Sequence, residues 1–223
     1  MKKQKIVKIG FIGCGAIGSR LAKSVNQDLN HYCKISGLYD LAPEKTRNLI
    51  ATLKLNPRLV KKSTADLIHS CDFVIEAIAS DKTTKIIEKV IRSKKSILVM
   101  SAGKVLNIPG ILTLAEKNHT TVLIPSGAIG GLDVIKSIGA NSISKITLTT
   151  RKPPASLEQS DYLTKKRIYI NRVKKETVLF DGHVQESIAL FPRNINVAAT
   201  LALASRVKNK IRIRIITSPK FTM

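Results

Sequence analysis

A glycine pattern at Gly13-Cys14-Gly15-Ala16-Ile17-Gly18 constrains this chain more than any other feature. It follows an apolar, β-branched run at 6–12 and opens a segment at 16–27 in which Ile17, Leu21, Ala22 and Val25 recur at helical spacing. A strand that passes through G-x-G-x-x-G into a helix has few uses. The first glycine makes the tight turn, the second lets a phosphate approach the backbone, and the third lets helix pack on strand. The helix N-terminus then faces the anion. Asp40 lies 22 residues past Gly18, at the end of a second predicted strand (34–39), where a carboxylate hydrogen-bonds a ribose 2′-hydroxyl. The same carboxylate repels a 2′-phosphate. Gly13, Gly15, Ala16, Ile17, Gly18 and Asp40 are therefore the expected dinucleotide contacts, with NAD expected over NADP.

The rest of the first half continues the alternation. The pattern predicts helices at 43–53, 65–70, 83–93 and 109–117. It predicts strands near 59–60 and at 73–79, 97–100 and 121–124. Strands alternating with helices indicate parallel βαβ units with right-handed crossovers. The expected fold class is α/β: a doubly wound parallel Rossmann sheet over residues 1–125 and a second, smaller α+β domain over 126–223. In the second part, 144–150 alternates as a half-exposed antiparallel strand would. Pro153-Pro154 breaks the chain, and 155–175 is polar with little periodicity. Thr177–Phe180 reads as a strand closed by an Asp181-Gly182 turn. A short helix is predicted at 184–191, an Ala-rich helix at 196–204 and a strand at 211–216.

The formal net charge of +23 invites a nucleic-acid reading. The basic residues are dispersed, however, with 15 basic and 5 acidic residues in 151–223 against 38 and 15 in the whole chain. Nine Phe and Tyr residues form no stacking platform among them. No specific nucleic-acid partner is expected; the charge instead favours encounter with anionic cofactors and acidic substrates. No run approaches the roughly 20 apolar residues that span a bilayer, and glycines interrupt the apolar stretch after the basic start, so neither membrane nor secretion signal is expected. Three widely spaced cysteines, Cys14, Cys33 and Cys71, suit a reducing cytoplasm and no metal site.

Other residues leave alternatives open. Glu76, inside an apolar strand, either faces the cofactor cleft or is a buried structural partner. Ser126 to Asp133, rich in glycine, either holds a carboxylate or nicotinamide ribose on its backbone amides or turns the chain between domains. His31, His69 and His119 read as exposed. His183, after the Asp181-Gly182 turn, is a candidate for acid–base work or a fourth exposed histidine.

Several blocks, taken in order, carry a resemblance. They are the glycine pattern, Glu76-Ala77-Ile78-Ala79-Ser80, Ser101-Ala102-Gly103, Ser126 to Asp133, Thr149-Thr150-Arg151-Lys152-Pro153-Pro154, and Phe191-Pro192-Arg193-Asn194-Ile195-Asn196-Val197-Ala198-Ala199-Thr200. Together they resemble the L-aspartate dehydrogenase family from residue 6 to about 217. The resemblance implies NAD(P)-dependent oxidative deamination of L-aspartate to iminoaspartate, feeding NAD biosynthesis. In reverse it implies reductive amination of oxaloacetate with ammonia. It also implies cofactor contacts at Ala128 and Asn196, and a homodimer. The family's catalytic histidine follows the last strand, whereas Thr217-Ser218 stand at the family's Ala-Asp position and the sequence ends at Met223. No catalytic residue carries over, and a C-terminally shortened member is expected. The alternative reading is a catalytically impaired dinucleotide-binding remnant.

Overall fold

The computed structural model describes residues 6–78, 80–158, 160–191 and 196–221. The chain divides into two compact units, Met1–Pro125 and Ser126–Met223.

In the first unit the order is β1 (Val7–Ile12), α1 (Ala16–Gln27), β2 (Cys33–Tyr39), α2 (Pro43–Leu53), α3 (Thr64–Ser70), β3 (Phe73–Glu76), α4 (Thr83–Arg92), β4 (Ser96–Val99), α5 (Ala102–Val105), α6 (Ile111–Lys117) and β5 (Val122–Leu123). All five strands are parallel, in spatial order β2-β1-β3-β4-β5. The chain leaves β1 for β2 on one side and returns to β3 on the other, so the topological switch lies at the carboxyl ends of β1 and β3, the place where such sheets bind ligands. Phe11, Ile12, Val74, Ile97 and Val99 have no solvent exposure. Burying each such side chain stabilises by about 1.5–3 kcal/mol, which is why these strands read as apolar runs. Helix α1 buries Gly18, Ala22 and Val25, spaced 4 and 3 residues apart on one face. Helix α4 buries Ile87, Val90 and Ile91 and leaves Lys85 and Lys89 exposed.

Three details differ from expectation. The strand expected near 59–60 is a 3-10 turn, Pro57–Leu59, followed by a single parallel bridge from Val60 to Leu38 at the outer edge of β2; Pro57 supplies no N–H for a longer ladder. Strand β3 ends at Glu76, short of the expected 79, and Ala79 lies outside the described residues. Helix α6 begins at Ile111 because Gly110 adopts φ +64, and the short α5 gave no periodic signal.

The second unit contains α7 (Leu132–Ile138), β6 (Ile146–Lys152), α8 (Asp161–Lys165), β7 (Thr177–His183), α9 (Val184–Leu190), α10 (Asn196–Ser205) and β8 (Ile211–Thr217). Its sheet has the order β6-β8-β7. In β8, Ile211, Ile213 and Ile215 are buried while Arg212 and Arg214 face solvent, the alternation of a sheet covered on one side. Strand β6 has the expected half-exposed alternation but pairs with β8 in parallel. Alternation reports one-sided burial and carries no direction. The long segment between the two strands, which includes β7 and the helices α8, α9 and α10, permits the parallel arrangement. The expected Asp181-Gly182 turn is also corrected. Both residues continue β7, paired with Arg214 and Ile213, and Arg212 and Arg214 hold the Asp181 carboxylate. Position 182 is a glycine because a Cβ there would meet the Glu186 carboxylate at 2.5 Å and the Phe180 ring at 2.7 Å. That ring packs edge-on against Phe191, 5.6 Å between centroids, and against Tyr162 at 6.1 Å.

Candidate dinucleotide site

The glycine loop is held from below by its neighbours. Gly13 has φ +100, open to glycine and strained for any other residue. Its N–H donates to the Tyr39 carbonyl at 2.8 Å. A Cβ on Gly13 would run into the Ala77 carbonyl and lie 2.7 Å from Ile78 Cγ2, so this backbone rests directly on the loop that follows β3. A Cβ on Gly18 would strike the Gly13 carbonyl, which accounts for the third glycine by helix–loop packing. Gly15 is the opposite case: a Cβ there would meet nothing within 4 Å, so the space above it is open. Gly15 is the N-cap of α1, and its carbonyl accepts from Ser19 N–H at 2.8 Å. Ser19 Oγ in turn donates to the Cys14 carbonyl at 2.9 Å.

Asp40 closes the loop from the side. One carboxylate oxygen accepts the Cys14 N–H at 2.7 Å and the other accepts the Ala42 N–H at 2.9 Å. A carboxylate has about four lone-pair positions, so two such bonds leave capacity for a diol. The structure thus brings Gly13, Gly15, Ala16, Ile17, Gly18 and Asp40 together around one loop. Ile17 is 53% exposed and Leu41 is 64% exposed, two apolar side chains left in the open at its rim. A cleft of about 500 Å³ between α1 and α2 adjoins Gly15 and Ala16, and Arg20, Lys23 and Lys45 line it. The periodic reading of α1 and α2 did not single out these cations, although each sits on the polar face of its helix.

Cys14 is buried within the loop, where desolvation, then the Asp40 charge, push its thiol up to about 12. Glu76 is the buried partner of the two alternatives, with no solvent exposure. One of its oxygens accepts the Ile78 N–H at 2.8 Å. The other accepts the Ser101 hydroxyl at 2.6 Å and the Ser101 N–H at 3.3 Å. Burial holds its pKa above the usual carboxylate value, and these three donors offset that rise only in part. Sequence reasoning did not find Ser101 as its partner; the only trace was its place in a block quoted for resemblance.

The remaining candidates sit elsewhere. Ala128 is exposed in the loop 126–131, whose Gly127 and Gly131 have φ +64 and +72 and which leads into α7. Asn196 is the first residue of α10, and α10 packs on α7. Both belong to the second unit, and Pro192 to Ile195 lie outside the described residues. His183 is exposed at the junction of β7 and α9, opposite Arg212, and its N–H donates to Glu186 at 2.9 Å. His31, His69 and His119 are exposed. Among the described residues there is no group of three or more His, Cys, Asp or Glu able to hold a metal ion, and no helix long and apolar enough to cross a membrane.

Residues 13–125 match the family model for the homoserine dehydrogenase NAD binding domain, and residues 133–223 match that for the aspartate dehydrogenase C-terminal region. The L-aspartate dehydrogenase of Methanosarcina barkeri is 33% identical over 218 residues, covering 96% of this chain and 79% of that protein. The L-aspartate dehydrogenase of Nitrosopumilus maritimus is 32% identical over 215 residues, covering 95% and 78%. Among solved structures, aspartate dehydrogenase from Thermotoga maritima aligns with a TM-score of 0.69 at 23% identity, over 97% of this chain and 81% of that one.

Proposed function

The chain belongs to the L-aspartate dehydrogenase family, and on that footing we propose that it oxidises L-aspartate to iminoaspartate with a pyridine nucleotide, and in reverse aminates oxaloacetate. The observation that carries the substrate is the relationship to curated L-aspartate dehydrogenases along nearly the whole chain. A pyridine nucleotide fits the residues present: open space above Gly15 beside two glycines that packing excludes from substitution is a cradle for a phosphate-bearing group. When bound, that cofactor takes up the hydride removed from the substrate α-carbon.

The chain's own residues orient the two partners. The N–H groups at the start of α1, from Ala16 and Ile17, would hold the pyrophosphate, which Gly15 would let come close. Asp40, already fixed by Cys14 and Ala42, would accept from the adenosine ribose hydroxyls and disfavour a 2′-phosphate. NAD is therefore the preferred cofactor, with NADP less favoured. Ala128 and Asn196 are assigned as further cofactor contacts of the second unit, which carries substrate binding and homodimer formation. The positive field of a chain at +23 raises the encounter rate with a dianionic substrate. Three buried free thiols suit a cytoplasmic enzyme supplying NAD biosynthesis.

The test is NADH oxidation by the purified chain in oxaloacetate plus ammonia, with an ammonia-free control. Turnover that requires both substrates is expected. NADH binding without turnover would replace the enzyme by a dinucleotide-binding relative, and absence of NADH binding would remove the cofactor reading as well.

A further inference from the structure

We propose that Glu76 is a positioning residue for the nicotinamide half of the cofactor, fixing the two loops that leave the carboxyl ends of β3 and β4 beside the topological switch, where such sheets bind ligands. The inference rests on the dinucleotide reading above. Glu76 is the last residue of β3, in register with Ile12 of β1 and Val99 of β4. It therefore stands at the carboxyl edge of the sheet, beside the topological switch. Its backbone carbonyl accepts the Met100 N–H at 2.9 Å, and the next residue, Ala77, donates to the Ile12 carbonyl at 2.8 Å. Past these bonds both ladders end. The carboxylate takes over from them: one oxygen holds the loop after β3 through Ile78 N–H, and the other holds the loop after β4 through the N–H and hydroxyl of Ser101.

All three partners are donors, so an acceptor with two oxygens is required. A leucine of similar volume would avoid the cost of burying a carboxylate but would leave the Ile78 and Ser101 N–H groups without their acceptor. The adenosine half has hydrogen bonds of its own that do not pass through Glu76: Gly13 N–H to Tyr39, Cys14 N–H to Asp40, and Ser19 to Cys14. Its link to the clamped loops is the packing of Gly13 on Ala77 and Ile78, and Ala77 is held to the Ile12 carbonyl without help from the carboxylate. With no solvent exposure, Glu76 acts through these two loops and touches neither substrate nor cofactor.

The test compares Glu76→Gln with the unaltered chain by calorimetric titration with NADH and, separately, with ADP, which lacks the nicotinamide ribose. Glutamine has one acceptor oxygen and serves one loop only. NADH affinity should fall about tenfold, one such lost bond, while ADP affinity stays within twofold. An equal loss for both ligands would show a general folding role and overturn the proposal, as would unchanged NADH affinity. Should Glu76→Gln fail to fold, Ser101→Ala removes the 2.6 Å hydroxyl bond alone and should give a smaller loss in the same direction, again for NADH and not for ADP. An unaltered chain that binds neither ligand refutes the cofactor reading itself, an outcome distinct from all of these.

Discussion

Replacing Gly15 and Gly13 by alanine, one at a time, separates the two jobs of the glycine loop. At Gly15 the new methyl meets no protein atom within 4 Å, and φ is −74, comfortable for alanine. Reduced freedom of the unfolded chain stabilises by about 0.4–1 kcal/mol. The loss of glycine from an N-cap costs about 0.5–1 kcal/mol. The two offset, and folding stability should move by less than about 0.5 kcal/mol, within the usual range for substitutions that touch nothing. The methyl does fill the space a phosphate needs, so NADH affinity should fall at least about tenfold, or about 1.4 kcal/mol. At Gly13 the balance reverses. A side chain at φ +100 costs about 1–3 kcal/mol, and forcing a methyl into the Ala77 carbonyl and Ile78 adds about 1–3 kcal/mol of overpacking. The sum is a large part of the roughly 5–15 kcal/mol that holds a domain together. Denaturant melts followed by circular dichroism, paired with NADH titration, read both quantities. A Gly15→Ala protein that binds NADH undiminished, or that melts as early as Gly13→Ala, would refute this division of labour.

Two further outcomes concern Asp40 and the cysteines. Asp40→Ser removes the charge that the proposal sets against a 2′-phosphate and leaves Arg20, Lys23 and Lys45 nearby. A unit charge at about 4 Å near a protein surface is worth about 1–4 kcal/mol, so the ratio of NADPH to NADH affinity should rise at least about tenfold in parallel titrations; an unchanged ratio would mean that Asp40 does not set the choice. For the thiols, burial pushes Cys14 up to about 12 and Cys71 up to about 11 from 9.0. A higher pKa means less thiolate, so at pH 8 only about 1 in 10⁴ of the Cys14 groups is reactive. Ellman's reagent should modify Cys33 first and the other two only on unfolding, and prompt reaction of Cys14 in the native protein would contradict the burial seen here.

The features legible in the sequence were those carried by neighbouring residues. The apolar run of β1, the glycine turn and the helical spacing of α1 are contiguous, and each follows from backbone sterics and burial acting within about twenty residues. Asp40 was legible for the same reason: it ends the strand that must lie beside β1. The direction of β6 was not legible, because it depends on β8, whose Ile211 pairs with Ile146 across 65 residues. Asp181-Gly182 carries a strong turn signal, but the strand continues because both residues pair with β8, where Arg212 and Arg214 offer the Asp181 carboxylate partners; Gly182 is a glycine because Glu186 and Phe180 take the room a side chain would need.

Glu76 marks the boundary between these two kinds of information. An acidic residue inside an apolar strand announces that something unusual is there, since an unpartnered buried carboxylate is too costly to keep. Its function depends on where its acceptor oxygens find donors. One donor, Ile78 N–H, is two residues away and could have been guessed from a tight turn; the other, Ser101, is 25 residues away and meets it only because β3 and β4 are adjacent in the sheet. The local bond alone would make Glu76 a turn residue. The second makes it a clamp between two loops, and that step needs the strand order. The sequence could nominate the residue, but its role became readable only once topology had brought its two sets of donors to the same edge.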